Sequence, residues 1–243
     1  MGHDPALLCR CSPCRFGDDK AWCYTLCMCQ RFYLAARAAE IKKVFKIENV
    51  PELVPRYNIA PTQHSPIVTA VGKVREFHMA RWGVVPSWSR DLSLAARMAD
   101  AAAETIEDKP AFRTLFQTRR CLVPASGYFE WQSKGAKKQP YKIALRNGGL
   151  LAFAGLWETW TPEIGEPVET FAIITTQANK LISEVGERMP VIIPPADHQR
   201  WLTAPVTVAR KLLVPYTSGM TITPVSERVN SIKNDDVELL APL

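Results

Sequence analysis

Beyond residue 29 the chain has a single cysteine, Cys121; the other six of its seven lie in the first 29 residues. It carries four histidines in 243 residues, no internal repeat and no low-complexity linker. It also has no run of about 18 apolar residues, which excludes a transmembrane helix. The apolar stretch Pro5–Leu8 is too short for a secretory signal, and Cys9 to Asp19 is polar. A cytoplasmic protein with reduced thiols is expected. The cysteine spacing Cys9-x-Cys11-x2-Cys14 and Cys23-x3-Cys27-x-Cys29 contains pairs of the kind that hold zinc. The pairs are irregular, however, and no following histidine completes them. No metal and no cofactor are expected.

What is present divides at Met28. Residues 1–28 show no helical or strand period, and their charges balance: Arg10, Arg15 and Lys20 against Asp4, Asp18 and Asp19. The net charge of +6 therefore belongs to the remainder. A basic balance of this size permits a nucleic-acid partner without establishing one. Residues 1–28 read either as an unstructured leader or as sequence ahead of a true start at Met28, and residues 29–243 as one domain. Leu34–Ile47 has apolar residues at helical spacing. Asn58–Thr62 reads as a loop. Short alternating runs follow, at Pro66–Val71, Arg75–Trp82, Arg120–Val123, Tyr128–Gln132, Tyr141–Leu145, Leu150–Trp157 and Thr170–Thr175. Helical interludes fit Ala96–Ile106, Ala178–Val185 and Ala196–Leu202, and Gly148-Gly149 signals a hairpin. The fold class is α+β: a single β-rich domain with short flanking helices.

Cys29 follows Met28 directly, so a chain beginning there would present an amine and a thiol on one residue. With an aldehyde, the amine forms an imine and the thiol closes on it to give a thiazolidine. Alone, a cysteine is more often a small buried hydrophobe. It stands, however, with Arg56-Tyr57-Asn58-Ile59-Ala60-Pro61-Thr62-Gln63 and Arg81-Trp82-Gly83-Val84-Val85-Pro86-Ser87-Trp88. Further on come Ala103-Glu104-Thr105, Lys109-Pro110-Ala111-Phe112-Arg113, Ser126-Gly127-Tyr128-Phe129-Glu130-Trp131, Ala154-Gly155-Leu156-Trp157-Glu158 and Arg188-Met189-Pro190-Val191. In this order, from about Met28 to the C-terminus, the set resembles the SRAP (SOS response-associated peptidase) family.

The resemblance implies a single β-rich domain acting as a monomer on single-stranded DNA that contains abasic sites, with no membrane partner. It implies that Cys29 links covalently to the abasic aldehyde after autoproteolytic removal of whatever precedes it. Glu130 matches the catalytic glutamate, and Asp100 stands where an asparagine is usual. Arg31, Arg113 and Arg188 match basic positions of the DNA channel. Pro61, Trp82 and Trp88 are candidates to wedge or stack at the lesion, with Trp88 expected in the core instead. Cys121 is expected to be structural. His64, near the Ala60–Gln63 loop, is the one histidine placed to assist.

The chain departs from the family pattern at Asp100 (usually Asn), Ala102 (usually Arg), Gly186 (usually His) and Gln30 (usually Gly). A carboxylate at position 100 would hold the nearby α-amine protonated. Alanine removes a guanidinium suited to phosphate, and glycine removes an imidazole suited to proton transfer. Two weaker outcomes therefore stand beside covalent linkage: a paralogue that binds single strands without a durable link, and a peptidase that mainly processes itself.

Overall fold

The computed structural model describes residues 30–135 and 137–243, so the N-terminal cysteine cluster, Cys29 included, lies outside the described residues. Among the described residues there are twelve strands in chain order. They are β1 (Phe32–Leu34), β2 (Arg56–Ile59), β3 (His64–Val71), β4 (Val74–Trp82), β5 (Asp100–Ala102) and β6 (Arg120–Ala125). Then come β7 (Gly127–Lys134), β8 (Lys137–Leu145), β9 (Leu151–Trp160), β10 (Val168–Gln177), β11 (Arg188–Pro190) and β12 (Met220–Pro224). The helices are short: α1 (Ala38–Phe45), α2 (Pro110–Thr118), α3 (His198–Thr203) and α4 (Val206–Ala209). The architecture is α+β and β-rich, as the sequence indicates.

One sheet has five strands in the order β12-β8-β7-β1-β2. The other runs β11-β10-β4-β3-β6-β9 and closes on itself, because β9 also pairs with β10 from Val168↔Trp160 to Ile173↔Gly155. Closure leaves β3, β4, β6, β9 and β10 as a ring with few open edges. The last residues of β10 take two further partners, β5 in parallel and β11 antiparallel. Side chains of the two sheets meet in a shared core. Phe32 of the first sheet packs edge-on against Trp82 at 5.1 Å and against Phe153 at 5.9 Å, both from the second.

Local signals explain α1. Ala38, Ile41 and Phe45 lie on one buried face, the Glu40 carboxylate accepts from the Arg37 N–H at 2.9 Å, and Lys46 ends the helix at φ 53°. Its start differs from expectation. Leu34 belongs to β1, fully buried between β2 and β7, so strand pairing claims the residues ahead of Arg37. Asn58 and Ile59 likewise belong to β2 rather than to a loop. The helix expected over Ala96–Ile106 is replaced by a 3-10 turn (Leu92–Met98), strand β5 and a second 3-10 turn (Ala103–Thr105). The alanines there have good helix propensity, but pairing of Asp100–Ala102 with Ile173–Thr175 satisfies the same backbone groups and buries Ala101. Gly148, at φ 69°, does turn the chain, yet β8 and β9 lie in different sheets, so the turn is a crossover and not a hairpin.

The C-terminal segment is fastened to β2 by an asparagine of the strand and an aspartate of the segment. The amide nitrogen of Asn58, which is fully buried, donates to the carbonyls of Val229, Ser231 and Asn234 at 3.1, 3.0 and 2.9 Å. The Asp235 carboxylate accepts from the backbone N–H of Asn58 at 2.9 Å, from that of Tyr57 and from Arg56 Nε. This segment therefore borders β1 and β7, where Glu130 lies.

Candidate active site

Glu130 sits in the middle of β7, between β8 and β1, and is only 5% exposed. Its Oε1 accepts from the N–H of Trp131 at 3.1 Å. Its side chain leans on Gly186, which precedes β11 of the other sheet. A β-carbon at Gly186 would lie 2.5 Å from Glu130 Cγ and 2.8 Å from Cδ. The glutamate thus fills the volume that any side chain at 186 would begin to occupy.

Asp100 opens β5, opposite Ile173, and its Oδ1 is buried without a hydrogen-bond partner. Burial first, and then the negative charge of Glu130, push its pKa up to about 8, with Arg188 pulling the other way. At pH 7 the group is then neutral by roughly ten to one. This corrects the expectation of a carboxylate that holds an amine protonated. A neutral carboxylic acid has one O–H to donate beside its accepting oxygens, much as the usual asparagine has an N–H.

Arg188 begins β11 and reaches across β10. Its Nη2 donates to Glu104 Oε2 at 2.8 Å and to the Thr175 carbonyl at 2.9 Å, its Nη1 to Glu104 Oε1 at 3.3 Å, and its Nε to Thr175 Oγ1 at 3.3 Å. The guanidinium is thus held as a two-pronged pair with Glu104, close enough to Asp100 for their charges to interact. Ala102 lies on the same strand as Asp100, opposite Thr175.

The remaining expected residues separate. Arg31 enters beside this cluster: its carbonyl accepts from the Phe129 N–H at 3.0 Å. Its guanidinium donates to Asn58 Oδ1 and to the carbonyls of Val229 and Asn230 at 3.1, 2.9 and 3.3 Å. Arg31 is in large part a brace for the C-terminal segment. Arg113 is exposed on α2 and donates to the carbonyls of Glu107 and Asp108. Pro61 is half-buried at the turn into β3, where Thr62 takes φ 74° and donates to the Trp82 carbonyl at 2.7 Å.

The two tryptophans of the Arg81–Trp88 motif are exchanged relative to expectation. Trp82 has no exposed surface; its indole N–H donates to the Ala99 carbonyl at 2.9 Å and its ring lies parallel to Phe171 at 6.3 Å. It offers no face to a base. Trp88 is 71% exposed. Strand alternation at the end of β4 points Trp82 inward, while Trp88 lies in the following loop. Cys121 is fully buried, and burial raises its thiol pKa well above normal, as suits a structural residue.

Three histidines lie among the described residues. His64 is exposed on a groove lined also by Leu34, Arg56 and Met79. His78 contacts Thr69 Oγ1 at 3.0 Å and stacks on Trp157. His198 is buried against Phe45. No group of three or more His, Cys, Asp or Glu among the described residues is arranged to hold a metal ion. The sequence reading gave no role to Thr175, Trp131 or Asn230. Thr175 fixes Arg188, and the Trp131 indole N–H donates to Asn230 Oδ1 at 2.7 Å, tying the residue after Glu130 to the C-terminal segment. Trp131 adjoins the glutamate in the sequence, but Asn230 had no local signal at all.

Fold and site together define a class: two-sheet α+β proteins with a buried glutamate on one sheet and an arginine held by a glutamate and a threonine on the other. Residues 28–232 match the family model described as SOS response associated peptidase (SRAP), and the chain belongs to that family. Over 221 residues it is 38% identical to "Abasic site processing protein YoaM" of Bacillus subtilis (strain 168), covering 88% of this chain and 97% of the relative. "Abasic site processing protein HMCES" of Gallus gallus is 30% identical over 224 residues, 78% of this chain and 66% of the relative. A solved structure of a Bacteroides thetaiotaomicron protein superimposes with a TM-score of 0.80 at 27% identity, over 88% of this chain and all of that one.

Proposed function

We propose that this protein processes abasic sites in single-stranded DNA by linking to them through Cys29, once the residues ahead of it are absent. The observation that carries the reading is the entry of the chain into β1. The Arg31 carbonyl accepts from the Phe129 N–H at 3.0 Å, which sets Arg31 beside the β7 residue that precedes Glu130. Cys29 is two residues away, a span of about 7 Å of extended chain. An abasic site presents an aldehyde; the Cys29 amine condenses with it, water leaves, and the thiol closes the thiazolidine. Glu130, buried and shielded from bulk water, suits the proton transfers. The printed names of the relatives support abasic sites as the substrate.

The binding surface follows the corrected geometry. Trp88 takes the stacking role that Trp82 cannot, and Pro61 offers a second apolar face. Arg113 and Arg31 supply positive charge for the backbone, and Arg188 serves after exchanging Glu104 for a phosphate. Protein beginning at Cys29, incubated with an abasic single-stranded oligonucleotide and read by intact mass, gains the oligonucleotide's mass less one water. Cys29→Ala loses this adduct and keeps non-covalent binding to intact single strands. Binding without any adduct in the unaltered protein means a non-covalent paralogue. Protein made from residue 1 that removes its leader but never reacts with DNA means a peptidase for itself.

A further inference from the structure

On that reading Arg188 meets a phosphate only once Glu104 has left it. We infer that Glu104 is an internal stand-in for a DNA phosphate. In the free protein it fills the end-on fork of the Arg188 guanidinium, and a backbone phosphate replaces it there. Its presence limits both the strength and the salt dependence of single-strand binding. The inference rests on the function proposed above and adds to it the residue that competes with the DNA.

Two edges of the guanidinium have different kinds of partner. Along the side edge, Nε donates to Thr175 Oγ1 at 3.3 Å and Nη2 to the Thr175 carbonyl at 2.9 Å. Thr175 is fully buried in β10 and paired with Ala102 on one side and Pro190 on the other, so sheet structure fixes this edge. At the end, Nη2 donates to Glu104 Oε2 at 2.8 Å and Nη1 to Glu104 Oε1 at 3.3 Å. Glu104 comes from the short 3-10 turn Ala103–Thr105, and its side chain is 42% exposed against 17% for that of Arg188. The arginine is anchored from behind, while its anion lies toward solvent, where another anion can reach it.

A carboxylate and a phosphodiester offer the same fork: two oxygens on one atom, sharing one negative charge and accepting two parallel N–H bonds. Glu104 is an anion at neutral pH. Burial by itself raises its pKa, but the Arg188 hydrogen bonds and backbone N–H donors outweigh burial and hold it below the ordinary carboxylate range. Exchange breaks no covalent bond; one ion pair replaces another. Binding at Arg188 therefore first costs the existing pair, up to about 5-fold in affinity for a partly exposed one. It also leaves a carboxylate beside the incoming strand, which draws a cation to itself. That cation offsets the one released from the DNA, so with Glu104 present this arginine adds little to the salt dependence.

The test measures equilibrium binding of the full chain to an intact single-stranded oligonucleotide, without abasic sites, across a salt series. Glu104→Gln keeps the size and removes the charge; Glu104→Ala removes the fork's partner outright. Both variants should bind about 5-fold more tightly, with a log–log salt slope steeper by about 0.7. The gain should be equal for all strand sequences, because a phosphate contact carries no base information. It should vanish when either change is combined with Arg188→Ala. A glutamate that only orients the arginine gives the opposite sign, with weaker binding in both variants and most of all in Glu104→Ala. That result overturns the inference, and so does an unchanged affinity with an unchanged slope. NMR gives a second readout: as oligonucleotide is added to the unaltered protein, the Glu104 carboxyl-carbon and Arg188 Nε–H resonances should move together. A Glu104 resonance that stays in place at saturation overturns the exchange. Failure of the proposed function reads differently. If neither the unaltered protein nor any variant binds single strands, that function fails and the inference with it. An adduct with abasic DNA alongside unchanged binding in both Glu104 variants overturns the inference alone.

Discussion

Asn58→Ala removes the side-chain amide's share of the fastening between β2 and the C-terminal segment, and its cost follows from the bonds. The amide nitrogen has two hydrogens for three carbonyls, so at least one is shared, while Oδ1 accepts from Arg31 Nη1 at 3.1 Å. Three hydrogen-bonding groups are therefore lost from a fully buried site. Each is worth about 0.5–1.5 kcal/mol net, and buried groups left unsatisfied cost about 1–3 kcal/mol. The Val229 carbonyl keeps a second donor, Arg31 Nη1 at 2.9 Å, which holds the sum near the lower values. The expected destabilisation is about 2–3 kcal/mol, or a drop in Tm of about 5–10 °C for a domain of this size. Thermal melting reads the total, and hydrogen exchange reads its place. Amides of residues 226–235 should lose protection first, because Asn58, Arg31 and Trp131 all anchor that segment. A variant with unchanged melting and unchanged protection there would refute the reasoning.

Burial, and then the nearby charge of Arg75, hold the His198 pKa at about 4 against 6.5 when unfolded. The unfolded chain then binds the proton first as pH falls, so stability is full above about pH 6.5 and declines down to about 4, by on the order of 3 kcal/mol. His198→Leu should flatten that part of the difference curve against the unaltered protein in urea titrations, and an identical acid slope counts against it. Trp82→Ala should cost about 3–5 kcal/mol of folding stability by leaving a core cavity. Trp88→Ala should change stability by at most about 0.5 kcal/mol and weaken single-strand binding by about 1–3 kcal/mol; the reverse pattern would show the two assignments exchanged. Gly83 has φ 118°, and a β-carbon there would lie 2.2 Å from the Ala95 carbonyl oxygen. Gly83→Ala should therefore cost about 2–4 kcal/mol from strain and crowding together, and a melting temperature unchanged by the substitution would show that this backbone relaxes.

What depends on neighbours along the chain is legible in the residues alone. Alternation marked most of the strands, the apolar spacing of Ile41 and Phe45 marked α1, and the ordered motifs from Arg56 to Val191 marked the family. Glu130 stood out through its place in one of those motifs. Tertiary structure decided what depends on distant partners. Trp82 and Trp88 are six residues apart in one motif, yet only the core formed by Phe32 and Phe171 determines which of them is buried. Asn58 looked like a loop residue because the carbonyls that claim its amide lie more than 170 positions away. Asp100 read as an ordinary carboxylate, since a side chain's charge state is set by burial and by facing charges, here Glu130 and Arg188 on other strands. Gly186 read as the loss of a histidine. Its space is taken by a glutamate from the opposite sheet, and such an exchange of volume exists only once two sheets have packed.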